Sequence, residues 1–228
     1  VQITGFTLPW QYLFLGIFLG ARLAHCIFYE PSYYLAHPLE LLLPITELPD
    51  GSFEFSGYHG LASHGGGIGL IIALWLYCRK YKVNFWPLSD FLSIATPLAG
   101  GFIRLGNLAN SEIVGAQTDV PWAFIFPLYD QCPRHPAQLY EALFYFVLFG
   151  VMFLIHKFSK RYLPDGFFLA FVLLAIGAFR FCIEFVKEIQ VSFEQTMTLN
   201  MGQWLSIPFV VVGIGLLFYL FRRQHKNS

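Results

Sequence analysis

Five basic residues stand in or beside long apolar stretches of this 228-residue chain: Arg22, Arg104, Arg134, Arg180 and Lys187. A charge at the centre of a bilayer costs about 2.5–3.5 kcal/mol on insertion scales, so each needs a partner or an aqueous cavity. Arg22 and Lys187 lie near the ends of their stretches, where snorkelling to a headgroup serves as well as a function. Arg104 opens the run Arg104-Leu105-Gly106-Asn107-Leu108-Ala109-Asn110-Ser111-Glu112. If that run is helical, Arg104, Asn107 and Ser111 share one face. A fork-shaped guanidinium suits a phosphate, and Gly106 and Gly115 would let a backbone or headgroup come close. Arg180 and Glu184 follow at i, i+4. The plainer reading is a self-neutralising pair that makes the helix insertable. That reading explains the pair but not Arg104, whereas two arginines beside one phosphate explain both.

His64 precedes three glycines in Ser63-His64-Gly65-Gly66-Gly67. Lone histidines are more often structural, but glycines weaken the local helix and clear space around the ring. An imidazole with an ordinary pKa of about 6.5 can act as a base near neutral pH. A fourth cluster, Pro133-Arg134-His135-Pro136-Ala137-Gln138-Leu139-Tyr140-Glu141, suits a helix start, with Gln138 and Glu141 on one face. An interfacial cap with a snorkelling Arg134 explains it equally well. The four cysteines, Cys26, Cys78, Cys132 and Cys182, form no CxxC pair and no metal-ligand spacing, and read as packing residues. No serine-protease, HExxH or P-loop pattern is present. A reacting thiol would therefore belong to a substrate.

The elements that must carry these residues follow from composition. The chain is 56% hydrophobic and 12% charged, with 19% aromatics and no net charge. That balance suits lipid as the solvent and offers no basic block for nucleic acid. Six segments are long enough to cross a bilayer as helices, at 9–28, 60–79, 87–110, 137–157, 166–187 and 203–222. They lack the alternation of a barrel, so the fold is all-α, a polytopic helical membrane protein. Loops 29–59, 111–136 and 188–202 would build an extracytoplasmic arm or head region, while the membrane part is a single domain.

Nine of the 14 Lys and Arg residues cluster at Arg79–Lys82, at Lys157–Arg161 and at Arg222–Lys226. These are alternate connections plus the C-terminal tail, so the positive-inside rule makes that side cytoplasmic. The opposite loops are acidic, with Glu30, Glu40, Glu47, Asp50, Glu54, Asp119 and Asp130. Six spans would then leave Val1 in the cytoplasm, and an extracytoplasmic N-terminus would require one further helix before it.

In these blocks the sequence resembles the prolipoprotein diacylglyceryl transferases of the bacterial cytoplasmic membrane. Their signature G-R-x-G-N-F-x-N-x-E-x-x-G is similar to Ile103 through Gly115 here, with Ile103 for the first glycine and Leu108 for the phenylalanine. Ser63-His64-Gly65-Gly66, Arg134 through Glu141, Gly177-Ala178-Phe179-Arg180 with Glu184, and Met201-Gly202-Gln203 with Leu205 through Pro208 also agree. Gly20-Ala21-Arg22 with Phe28-Tyr29 resembles the family's second span, and Ile176 stands where members often carry an aromatic residue.

The resemblance implies seven spans, of which the first carries a functionally important tyrosine and precedes Val1; a chain without that span can be inactive. It also implies transfer of the diacylglyceryl group of phosphatidylglycerol to the lipobox cysteine of a prolipoprotein, with release of glycerol phosphate. In that scheme His64, Arg104 and Arg180 are catalytic. Arg104, Asn107, Glu112 and Gly115, together with Gly65, Glu184 and Tyr29, bind phosphatidylglycerol. No metal or other cofactor is expected, and the partners are phosphatidylglycerol, prolipoprotein signal peptides and membrane lipid. The implied location is the bacterial inner membrane, with the C-terminus cytoplasmic and the active site extracytoplasmic. Two readings from other classes compete: an anionic-lipid transporter, and a catalytically inactive lipid-binding membrane protein.

Overall fold

Glycines decide how the first two long helices meet. In the computed structural model, α1 (Pro9–Phe28) and α4 (Ser63–Tyr81) carry Gly16 and Gly20, and Gly65 and Gly69, each pair four residues apart. A Cβ at Gly20 would strike the carbonyl oxygen of Gly65, and one at Gly69 would strike that of Gly16. Small residues at this spacing let two helix backbones touch, which is how helices associate where lipid removes the hydrophobic drive. The structure describes residues 9–48, 51–58, 60–159, 162–188 and 197–227. Val1, Asp50, Lys160, Arg161 and most of the loop 188–202 lie outside them.

The chain divides into two units, 1–85 and 86–228. In the first, the segment between α1 and α4 is ordered by two short helices, α2 (Pro31–Ala36) and α3 (Pro38–Leu42), each opened by a proline. A hairpin follows, in which β1 (Ile45–Glu47) pairs antiparallel with β2 (Phe53–Phe55), Ile45 opposite Phe55. Arg22 is buried and ties this segment to α1. It donates to the carbonyl oxygens of Glu40 (2.6 Å) and Leu41 (3.0 Å), with its guanidinium 4.8 Å from the centre of the Tyr34 ring. Buried Glu40 accepts from the Glu47 amide and the Tyr33 hydroxyl, each at 2.7 Å. The amide bond foremost holds the Glu40 carboxyl below its ordinary pKa.

The second unit contains α5 (Phe85–Ala109, from Trp86 onward), α6 (Ala137–Ser159), α7 (Phe167–Ile183) and α8 (Met201–Asn227). Their core holds Ile94, Leu148, Met152, Phe168 and Val172. At the start of α7, Asp90 of α5 is buried and accepts from the amides of Gly166 (2.9 Å), Phe168 (2.9 Å) and Leu169 (3.3 Å). The first amides of a helix have no intrahelical partner, so a neighbouring helix supplies the cap here. Between α5 and α6 a second small hairpin pairs β3 (Phe124–Ile125) with β4 (Pro133–Arg134).

All six expected segments are helical, with shifted ends: the second begins at Ser63, and the fifth closes in a 3-10 turn over Glu184–Val186. Among the described residues, four helices are long and apolar enough to span: Trp10–Phe28, Ala137–Ser159, Phe167–Val186 and Met201–Lys226. The sidedness of α6 is inverted relative to a water-soluble helix. Gln138 and Glu141 are 0% exposed, while Leu143 and Val147 are 56% and 64% exposed. Polar groups inside and apolar groups outside are what a hydrocarbon solvent selects. The chain is an all-α polytopic membrane protein whose connecting segments carry two small hairpins.

Candidate anion-binding site

One buried carboxylate gathers three cations in the second unit. Gly100 and Gly101 of α5 let α6 approach: a Cβ on Gly100 would meet the Tyr145 ring, and one on Gly101 the Phe146 ring. Between α6 and α7, Phe144 and Phe179 stack at 3.8 Å between ring centres, fixing the register. Glu141 then lies beside Arg104 near the end of α5 and Arg180 near the end of α7. Its Oε1 accepts from Arg180 Nη1 at 2.9 Å. Its Oε2 is 3.1 Å from Arg104 Nε, an ion pair not aligned as a hydrogen bond. Lys187 Nζ is 3.6 Å from Glu141 Oε1 and 3.4 Å from Glu184 Oε1. Arg180 Nη2 also pairs with Glu184 Oε1 at 2.9 Å, as its i, i+4 spacing predicts. Three cations thus share two carboxylates.

Arg104 is held from a second direction. Its Nη1 donates to Asn107 Oδ1 at 3.2 Å, and Asn107 Nδ2 donates to Glu112 Oε2 at 2.8 Å. Gln138 donates to the Glu112 carbonyl oxygen, which ties the signature loop to α6. Ser111 does not join Arg104 and Asn107 on a helix face: α5 ends at Ala109, and Ser111 has φ +55°. A left-handed residue turns the chain out of the helix direction, so the i+7 relation fails.

Lys187 and Gly115 are placed by a small backbone collar. Gly115 and Lys187 form an antiparallel bridge, with Ala116 N donating to Val186 O (2.9 Å) and Glu188 N to Val114 O (3.2 Å). On the other side Gly115 N donates to His135 O (3.1 Å), and His135 N to Ala116 O (3.0 Å). A Cβ at Gly115 would strike His135 O and its Cβ, so glycine is required by backbone proximity. A Cβ at Gly106 would meet nothing within 4 Å among the described residues, so the space beside it is open. Arg134 locks the collar. It is buried, donates to Asp130 Oδ2 (2.6 Å), Glu188 Oε2 (2.8 Å) and Gly115 O (3.1 Å), and lies over the Tyr129 ring. It is a structural pin and not a snorkelling cap. Its bonds hold the Asp130 carboxyl below the ordinary range.

In the first unit, half-buried His64 occupies the second position of α4, and Tyr29 stacks on His25 at 5.4 Å. Gly65 lies against Gly20 and Ala24 of α1. That glycine is therefore required by the close contact of the two helices. Of the cysteines, Cys26 and Cys78 are buried as expected of packing residues, while Cys182 is exposed.

Curated relatives named phosphatidylglycerol–prolipoprotein diacylglyceryl transferase are similar to this sequence. One from Bacteroides fragilis is 56% identical over 213 residues, 93% of this chain and 77% of the relative. One from Tolumonas auensis is 45% identical over 207 residues, covering 90% and 75%. One from Nitrosomonas europaea is 42% identical over 215 residues, covering 93% and 72%. A family profile described as prolipoprotein diacylglyceryl transferase matches residues 7–219. The chain belongs to that family. The signature block and the cluster lie together: Arg104, Asn107, Glu112, Gly115, Arg180 and Glu184 all lie at one end of the helices of the second unit. Glu141, Lys187 and Gln138 complete that end and were not singled out as site residues from sequence. The available signal was the carboxylate of Glu141 within a 23-residue apolar helix, where a charge demands a cation.

Proposed function

We propose that this chain transfers the diacylglyceryl group of phosphatidylglycerol to the thiol of a lipobox cysteine in a prolipoprotein. The observation that carries the reading is the cluster of Arg104, Arg180 and Lys187 on Glu141 and Glu184. Two guanidinium forks brought together from different helices suit the oxygens of a phosphodiester. The relatives' names supply the two substrates. In the reaction, the thiolate attacks the glyceryl carbon that carries the phosphate. A carbon–sulfur bond forms, the carbon–oxygen bond breaks, and glycerol phosphate leaves with the bonding pair. Arg104 and Arg180 hold the phosphate and stabilise charge on the leaving oxygen. Asn107 and Glu112 orient Arg104 and the glycerol headgroup, and Glu184 orients Arg180. Gly115, Gly65 and Tyr29 contact lipid, as the family resemblance implies. His64 takes the proton of the thiol, whose ordinary pKa is about 8.5. No step calls for a metal or nucleotide, since the carbon attacked already carries a phosphate that can leave.

The proposal extends to place. All six helices cross the bacterial cytoplasmic membrane, the C-terminus is cytoplasmic and the reacting end faces outward. The positive clusters at one set of connections and the acidic loops at the other support this. The test incubates the membrane-embedded protein with phosphatidylglycerol and a lipobox peptide and looks for a diacylglyceryl mass shift on the peptide. A Cys→Ser peptide is the control. Lipid movement without a lipidated peptide would favour a transporter, and binding without either an inactive lipid-binding protein. His64→Ala is expected to abolish transfer; full activity in that variant removes His64 as the base.

A further inference from the structure

We infer that Glu141 is a positioning residue that sets the two arginines at the spacing the phosphate needs. The inference rests on the phosphate-clamp reading above. Arg104 and Arg180 come from different helices, 76 residues apart in sequence, and they touch a common side chain at Glu141. Its two oxygens divide the work: Oε2 faces Arg104 Nε at 3.1 Å, and Oε1 faces Arg180 Nη1 at 2.9 Å. The carboxylate is 0% exposed, whereas the arginine side chains keep 11% and 17% exposure. The anchor is therefore fully enclosed, while each arginine side chain keeps some exposure. Each arginine has a second tether on its own helix or loop, Asn107 for one and Glu184 for the other. Those tethers fix each fork relative to its own segment, while Glu141 fixes one fork relative to the other.

Removing the carboxylate should thus have two opposed effects. The cluster becomes more positive and attracts the anionic headgroup at least as well. The forks lose their common reference, and displacements of an ångström cost rate. A residue serving stability alone would lower the amount of folded protein and leave both constants of the remainder intact.

The test measures initial rates against phosphatidylglycerol in mixed micelles for the parent, E141Q, E141D, R180K and the double variant E141Q/R180K, each per folded molecule. E141Q should lower kcat at least tenfold with KM unchanged or lower. E141D, one methylene shorter, should fall between parent and E141Q. The double variant should lie within threefold of R180K alone, because the partner that Glu141 positions is already altered. Kinetics of E141Q within twofold of the parent overturn the inference, as do losses that simply multiply in the double variant. A tenfold rise in KM with kcat intact overturns it too, by making Glu141 a substrate contact. If E141Q does not accumulate, E141D and E141D/R180K decide by the same multiplication criterion. A failure of the underlying clamp looks different: R104A and R180A would then keep parental kinetics.

Discussion

Asn107 is a two-way coupler, and its chemistry explains why no other side chain of its size would serve. Its amide oxygen accepts from Arg104 while its amide nitrogen donates to Glu112, at 3.2 and 2.8 Å. An aspartate would keep the first bond and repel Glu112. A leucine of similar volume would lose both. Hydrogen bonds to charged groups contribute about 1.5–3 kcal/mol, so Asn107→Leu should lower kcat/KM by tenfold or more in the transfer assay. Asp130 offers a pH prediction of known sign. Its folded pKa is depressed by the bond to Arg134. A depressed carboxyl stabilises the fold fully above its unfolded value of about 3.9, and that stability is lost as pH falls through the folded value. Acidification from pH 5 to 3 should therefore lower the thermal midpoint of the parent more than that of Asp130→Asn. At this scale the sequence was legible where partners are neighbours. Arg104 with Asn107 and Arg180 with Glu184 follow from helical spacing. Glu141 lies 39 residues from Arg180, and only packing of α6 on α7 joins them. Ser111 misled because a helix end depends on a backbone turn that spacing cannot reveal.

Elements are held by contacts that polar or small residues make with neighbouring backbone. Asp90 is the clearest case, since one carboxylate accepts from three amides at the start of α7. Gly166, with φ +97°, delivers the chain into that cap in a conformation that suits glycine. Asp90→Ala would strand these buried amides and should cost about 2 kcal/mol, read as a lowered thermal midpoint. Transfer activity per folded molecule should be unchanged, because the clamp sits at the other end of α7. The positions of the six long helices were legible, as apolar length is a property of the sequence itself. The glycines were legible as special but not in their use. Gly65 and Gly69 serve a helix contact with Gly16 and Gly20, and Gly115 a backbone collar. Both uses depend on a partner segment distant in the chain. The ordered connections of the first unit, with two prolines starting α2 and α3, were read only as loop.

For the whole molecule, solvent is the organising fact. Phe102, Val147, Phe218 and many other large apolar side chains are exposed, while Asp90, Gln138, Glu141 and Ser206 are buried. Such a surface is stable only against hydrocarbon. The ends of the helices then have to be assigned to the two sides of the membrane. Arg79, Lys80 and Lys82 close one connection, Lys157 another, and Arg222, Arg223 and Lys226 end α8. Trapping these cations in the cytoplasm is what the positive-inside rule describes. The acidic connections, and with them Glu112 and the collar, would face outward. The expected outcome is a fluorescent C-terminal fusion, since a reporter that folds only in the cytoplasm would be joined after Ser228. A cysteine introduced at Asp119, in a Cys132→Ser and Cys182→Ser background, should react with a membrane-impermeant thiol reagent in intact cells. A cysteine introduced at Lys226 should react only after the cells are opened. The reverse pattern would place the arginine cluster on the cytoplasmic side, where a prolipoprotein thiol emerging across the membrane could not reach it, and the proposed transfer would fail with the topology.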